Sequence, residues 1–170
     1  MIAIRIRGQK NFMAKLLTKD IFDKYLLEEA TIETFNTFTI DGKLNRDFFA
    51  GSEGFDNGAD TALLSEQFSS WSMIRPICLN LIKGKQTPLS FKFVLLVDRC
   101  SKEEFLRAKE IDMQADQVSF GIIIKFSSGE VQITTGISHK TFTMDKTAEK
   151  AWDAYIPSFL DSNGIDYEIL

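Results

Sequence analysis

The side chains best suited to bind an anion are Arg75, Lys83, Lys85 and Lys92, which lie where a long predicted helix passes into a strand. Their ammonium and guanidinium groups could donate charge-assisted hydrogen bonds to carboxylate or phosphate oxygens. The alternative, which we favour, is that lysines near a helix C-terminus complement the negative end of the helix dipole. The Gly-Lys pairs at positions 42–43 and 84–85 lack the flanking residues of a phosphate-binding loop. The sequence therefore offers a weak candidate anion site and no nucleotide-binding motif.

Residues that could act as nucleophile, base or metal ligand are few. His139 is the only histidine, so a His-rich metal site is excluded, and we expect this side chain to pack at a strand end. Cys78 falls on the buried stripe of a predicted helix, where a thiol acts as a small apolar group. Cys100 precedes Ser101, the predicted helix cap, where the helix dipole can favour a thiolate, but no base accompanies it. We expect no metal and no cofactor, and we lean against an enzyme.

Two glycines mark a possible contact surface. The alternation of apolar residues predicts that residues 118–139 form a β-hairpin about the turn Ser128-Gly129. In the register that this turn sets, Gly121 lies directly opposite Gly136. Paired glycines in a strand interior cost stability, so they often mark the close approach of a helix, a partner chain or a ligand. Packing of a helix from the same chain is the explanation we favour.

The elements that position these residues follow from hydrophobic periodicity and turn signals. We predict strands at 2–6, 89–97 and 165–170; helices at 12–17, 21–26, 61–83, 101–109 and 144–163; a hairpin at 30–49 turning on Asp41-Gly42; and a surface loop at 50–60. Pro76 should kink or split its helix, and strand 89–97 should be central and covered on both faces. Because strands and helices do not alternate regularly, we predict an α+β fold, in which amphipathic helices pack on a mostly antiparallel sheet built from hairpins. A single globular domain should span residues 1–170.

Composition narrows the class of protein. The chain has 170 residues, is 44% hydrophobic and carries a net charge of −4, which makes nucleic-acid binding unlikely. Fifteen Phe against three Tyr and two Trp indicate an aromatic core. The longest apolar run is far shorter than a bilayer requires, so we expect no membrane partner. Two cysteines without metal spacing favour a reducing compartment, and we expect a cytoplasmic protein.

Three blocks, FNTFTIDG at 35–42, IRPIC at 74–78 and LIKGKQTPLSFK at 81–92, resemble those of an uncharacterised protein family from anaerobic Gram-positive bacteria. The resemblance covers nearly the whole chain, down to the helix that carries Trp152. It implies a bacterial, cytoplasmic, single-domain protein. It implies no function, and no catalytic residue can be carried over from it.

Two functions remain open from the sequence. We favour a non-enzymatic interaction module, either a homo-oligomer or an adaptor for another protein, because no catalytic set is present. The alternative is a small-molecule or anion-binding protein, or an enzyme without histidine chemistry, with a cationic site around Lys83 and Lys85. Effects of Lys83→Ala and Lys85→Ala on ligand-induced thermal shifts would separate the two.

Overall fold

The computed structural model describes residues 1–49 and 65–170. The strands are β1 (Ala3–Ile6), β2 (Tyr25–Glu33), β3 (Thr37–Asp41), β4 (Ser69–Ser70), β5 (Ser90–Val97), β6 (Val118–Ser127), β7 (Glu130–His139) and β8 (Tyr167–Ile169). The helices are α1 (Gln9–Thr18), α2 (Arg46–Phe49), α3 (Trp71–Ile82), α4 (Arg99–Ala108) and α5 (Thr147–Ser162). The predicted loop at 50–60 lies outside the described residues.

All strands join one sheet, in the order β3-β2-β5-β6-β7-β1-β8, with β4 paired to one end of β2. Every pairing between these strands is antiparallel. The α+β prediction is therefore confirmed. The strand at 89–97 is central, as predicted, because it pairs with β2 on one side and β6 on the other.

The hairpin of β6 and β7 has the predicted register. Phe120 pairs with Ile137, Ile124 with Ile133, and Gly121 with Gly136. The turn residues Ser128 and Gly129 have φ angles of 53° and 80°, the left-handed pair that a two-residue turn needs to match the twist of its strands. Alternating apolar residues fixed the register because a slip of one residue would have turned Phe120 and Ile124 toward solvent.

The core lies on one face of this sheet. The inward residues of β2, β5, β6 and β7 form one continuous cluster with four of the helices. The helical residues buried in it are Phe12, Leu16 and Leu17 of α1, Trp71 and Cys78 of α3, Phe105 and Leu106 of α4, and Ala148, Trp152, Ile156 and Leu160 of α5. Full burial of each large side chain contributes about 1.5–3 kcal/mol, so this one-sided packing is the main stabilising term of the fold.

The opposite face of the sheet stays outside the core cluster. On β5, Phe91, Phe93 and Leu95 are buried, whereas Val94 and Leu96 are only half-buried. The prediction that β5 is covered on both faces is therefore wrong for the described part of the chain. Apolar side chains on both faces are typical of a central parallel strand. In this antiparallel sheet the outward-facing Leu96 instead packs over Gly121 of the neighbouring strand.

The helix predicted at 21–26 is wrong. Residues 21–24 form a turn, in which the Asp23 amide donates to the Asp20 carbonyl at 3.0 Å, and β2 begins at Tyr25. Four apolar residues within a short window fit a helix stripe and a buried turn equally well, and pairing with β5 decided between them.

The turn predicted at Asp41-Gly42 is also wrong, since β2 and β3 are joined at residues 34–36. Gly42 instead lies against the β2 bulge between Leu27 and Glu29, and its amide donates to the Glu28 carbonyl at 3.0 Å. A Cβ at position 42 would come within 1.7 Å of the Leu27 carbonyl oxygen. Glycine is needed here for close backbone approach rather than for a turn.

The remaining helices need smaller corrections. Helix α3 starts at Trp71, because residues 69–70 pair with β2, and Pro76 lies inside a continuous helix rather than splitting it. Asp98, not Ser101, caps α4: its Oδ1 accepts from the Ser101 amide at 2.7 Å. Helix α5 and strand β8 fall within the predicted ranges.

Candidate functional site

A pocket of about 330 Å³ opens between α4, α5 and one end of the sheet. It lies where β2 begins and β5 ends, since Tyr25 pairs with Val97 there. We call it the tyrosine pocket. Its wall consists of Lys24, Tyr25, Val97, Ser101, Glu104, Phe105, Ala108, Lys109, Trp152 and Tyr155.

Aromatic rings from the two helices form one wall of the tyrosine pocket. Trp152 and Tyr155 lie one turn apart on α5, which brings their rings into a stack with centroids 5.3 Å apart. Phe105 of α4 meets both rings edge-on, at 5.5 Å from Trp152 and 5.4 Å from Tyr155. Each such pair is worth about 0.5–1.5 kcal/mol beyond simple burial, so this wall is preformed and rigid.

Two phenol groups supply the polar part of the pocket. Tyr25 is only 5% exposed, yet neither its hydroxyl nor that of Tyr155 makes a hydrogen bond to any residue in the described ranges. Burial raises the pKa of both phenols, and for Tyr25 the neighbouring Tyr155 raises the pKa further. Both hydroxyls, like ordinary phenols, are neutral near pH 7. Neither oxygen is among the enclosed unpaired atoms of the described residues, so each is free to bond a ligand.

Charged side chains surround the mouth of the pocket. Lys24, Glu104 and Lys109 are all exposed and line it. Neither lysine forms an ion pair with any described residue. Ser101 is already engaged, because its hydroxyl donates to Asp98 Oδ2 at 3.1 Å. Two ammonium groups and one carboxylate give the mouth a net positive charge.

The ionisable groups in the wall of the tyrosine pocket are those of Lys24, Lys109 and Glu104 and the two phenols. Its wall contains neither histidine nor cysteine. Its volume falls within the range of small-molecule sites, about 300–1,000 Å³, and such sites are mostly apolar with a few placed polar groups. This is the composition observed here.

The four basic residues singled out from the sequence do not share one surface. Arg75 forms a two-pronged ion pair with Asp23, at 2.9 and 3.1 Å, and Lys92 pairs with Glu29 at 3.1 Å. Lys83 and Lys85 line a separate depression of about 650 Å³ with Thr34, whose buried Oγ1 has no hydrogen-bond partner among the described residues. Of the four basic residues, only Lys83 and Lys85 therefore still support the hypothesis of an anion-binding site.

Gly121 and Gly136 lie on the sheet face opposite the core. A Cβ at Gly121 would meet the Leu95 carbonyl oxygen at 2.8 Å and Leu96 Cδ2 at 3.0 Å. At Gly136 the nearest such atom is the Gly121 carbonyl oxygen, at 3.9 Å. The neighbour that approaches Gly121 on this face is therefore the adjacent strand, rather than the helix we expected.

The remaining candidates are His139 and the two cysteines. His139 pairs with Val118 at the hairpin end, as predicted. Cys78 is fully buried, and burial raises the pKa of its thiol to about 12, whereas Cys100 is exposed. No group of three or more potential metal ligands was found among the described side chains.

Sequence reasoning missed the tyrosine pocket because its wall comes from four separated segments. Trp152 and Tyr155 fall in the helix predicted at 144–163, and Tyr25 falls in the helix predicted at 21–26, which does not form. One signal was available: a chain that uses Phe for 15 of its rings has only three tyrosines. The third, Tyr167, bonds Asp161 at 3.1 Å, whereas the hydroxyls of the other two bond none of the described residues.

Comparison with known proteins adds a family but no activity. A family model described as a family of unknown function, DUF5721, matches residues 15–168. No curated protein and no solved structure matches the chain. None of the helices in the described part of the chain combines the length and apolar character that spanning a bilayer requires.

Proposed function

The chain belongs to this family of unknown function, and from that premise we propose that it binds a small aromatic molecule in the tyrosine pocket without catalysing a reaction on it. The observation that carries the proposal is Tyr25, whose side chain is 5% exposed and lines the pocket, and whose hydroxyl has no hydrogen-bond partner in the described ranges. A free hydroxyl on an apolar wall is the kind of placed polar group that orients a ligand in such pockets.

The walls support an aromatic ligand. The rings of Phe105, Trp152 and Tyr155 contact one another, so a planar molecule can stack against them without rearranging the core. An apolar cavity of about 150 Å³ can hold benzene, so a pocket of about 330 Å³ has room for a two-ring molecule.

The proposal is tested by titrating the protein with 2-naphthol, a two-ring probe with one hydroxyl, and following backbone amide shifts by NMR. Tyr25→Phe and Tyr155→Phe should each weaken binding, because each removes one hydrogen-bond donor and keeps the ring. Tyr167→Phe is the matched control, since that hydroxyl already bonds Asp161. Binding that is unchanged by both pocket variants but lost in Lys83→Ala or Lys85→Ala would place the site in the other depression and overturn the proposal.

Self-association is the second candidate function, and the open sheet face favours it. Ile123 is 38% exposed at the centre of this face, beside half-buried Val94 and Leu96. A second copy is the natural occupant, because most soluble oligomers are symmetric assemblies of one chain. Light scattering should show a dimer that Ile123→Lys dissociates and that Leu89→Lys, at an exposed site on the β5 approach, leaves intact. A monomer at all concentrations contradicts this candidate.

For the cellular setting we propose the cytoplasm of a bacterium. Two free thiols, one of them exposed, suit a reducing compartment. The bacterial origin rests on the sequence resemblance. Fractionation of producing cells checks the compartment.

A further inference from the structure

We propose that the ligand of the tyrosine pocket is an aromatic acid: a planar ring system carrying a single anionic group, such as a carboxylate. This inference rests on the proposed function, because it assigns a ligand class to the same site. It is carried by the charges at the mouth of the pocket together with the donors inside it.

The mouth favours a negative charge. Lys24, just before β2, and Lys109, just after α4, both line the pocket, and neither is neutralised by an ion pair with a described residue. Glu104 supplies the one carboxylate that the described residues contribute to the wall. A ligand with one negative charge would be attracted by this balance, whereas a cation would meet two ammonium groups.

The interior supplies two hydroxyl groups that can donate hydrogen bonds. Both are neutral at physiological pH, as ordinary phenols are, and burial raises the pKa of each further. A hydrogen bond from a neutral donor to an ionised oxygen is about twice as strong as one to a neutral oxygen. An acid therefore gains more from these hydroxyls than the corresponding alcohol.

Two other ligand classes fit less well. Aromatic rings can enclose an organic cation, but such cages work by attraction between a positive charge and the ring faces, which Lys24 and Lys109 would oppose. A nucleotide needs several cationic or backbone contacts for its phosphates, whereas this wall offers two exposed ammonium groups and about 330 Å³.

The test uses three probes with the same ring system, similar size and different charge: 2-naphthoate, 2-naphthalenemethanol and 2-naphthylmethylammonium. Calorimetric titration of the full chain at low salt should give the tightest binding for naphthoate, by about three- to tenfold over the alcohol, as expected for partly exposed ion pairs. The ammonium probe should bind most weakly. Raising the salt concentration should shrink the advantage of naphthoate and leave the affinity for the alcohol unchanged.

The matched variants are Lys24→Gln and Lys109→Gln, with Lys19→Gln as a control at an exposed lysine that does not line the pocket. Each pocket variant should reduce the preference for naphthoate over the alcohol, and the control should keep it. All three positions are exposed, so folding should persist, and an unchanged thermal midpoint without probe verifies this.

The possible failures are distinguishable. If the alcohol binds as tightly as naphthoate, or if the lysine variants weaken all probes equally, the ligand class is wrong while binding in the tyrosine pocket stands. If none of the probes binds, or if Tyr25→Phe has no effect on any of them, the pocket itself is not the site and the proposed function fails with the ligand class.

Discussion

The indole Nε1 of Trp152 donates a buried hydrogen bond of 2.9 Å to the backbone carbonyl of Gly121. This bond joins helix α5 to the middle of strand β6, at the glycine whose other face is covered by Leu96. It also fixes the ring that stacks on Tyr155 in the tyrosine pocket. This hydrogen bond thus stabilises both the packing of α5 on the sheet and the aromatic wall of the tyrosine pocket.

Replacing Trp152 with phenylalanine should lower the free energy of unfolding by about 2–4 kcal/mol, since the change removes this hydrogen bond and leaves a void. Urea denaturation measures the loss. Tyr155→Phe is the control: it keeps the ring and removes a hydroxyl that bonds no described residue, so stability should change by less than about 0.5 kcal/mol. Equal losses in the two variants would contradict the role assigned to the indole.

The two paired glycines should respond differently to alanine. Gly121→Ala should destabilise the fold by about 1–3 kcal/mol, because its methyl would press against the Leu95 carbonyl oxygen 2.8 Å away, and backbone cannot move aside. Gly136→Ala has its nearest neighbour at 3.9 Å and should be neutral or stabilising by up to about 1 kcal/mol. Chemical denaturation of both variants decides the matter. A neutral Gly121→Ala would show that this close approach is not tight.

Thr135 should be required for its hydroxyl rather than its shape. It is 1% exposed, its Oγ1 donates to Asp153 Oδ1, and the same oxygen accepts from the Ile2 amide at 2.8 Å. Thr135→Val keeps the volume but leaves the Ile2 amide without its acceptor and Asp153 Oδ1 without its donor, which should cost about 1–3 kcal/mol. Thr134→Val, one residue away on the open face, should be nearly neutral. Similar thermal midpoints for the two variants would argue against the network.

The two thiols should differ in reactivity and in their effect on alkaline stability. A thiol reagent should label Cys100 in the native protein and reach Cys78 only after unfolding, because Cys78 is fully buried.

Burial raises the pKa of Cys78 from 9.0 to about 12, so the unfolded chain loses this proton first and stability should fall as the pH rises from 9 toward 12. Buried Tyr25, whose pKa is also raised, acts in the same direction above pH 10. Unfolding at about pH 8 and about pH 10.5 should show a smaller loss in Cys78→Ala than in the parent chain. The same pH dependence in both proteins would contradict the assignment to this thiol.

Elements whose own residues carry a strong period could be predicted from the sequence. The hairpin of β6 and β7 is specified by strict alternation and a Ser-Gly turn, and helix α5 by a long apolar stripe. The segment 21–26 is too short to distinguish a helical from a strand period. The strand that begins in it therefore depended on pairing with β5. Gly42 correctly indicated a position with an unusual backbone environment. Its sequence neighbours could not show that the backbone of Leu27 approaches it.

The sequence alone thus determined the fold class, the central hairpin and the facing glycines, because these depend on local periodicity. Only the tertiary structure decided which face of the sheet is covered, that Arg75 and Lys92 are held by Asp23 and Glu29, and that Tyr25 and Tyr155 share a pocket. These relationships join residues far apart in the chain. Their energies depend on distances between side chains that no local pattern encodes.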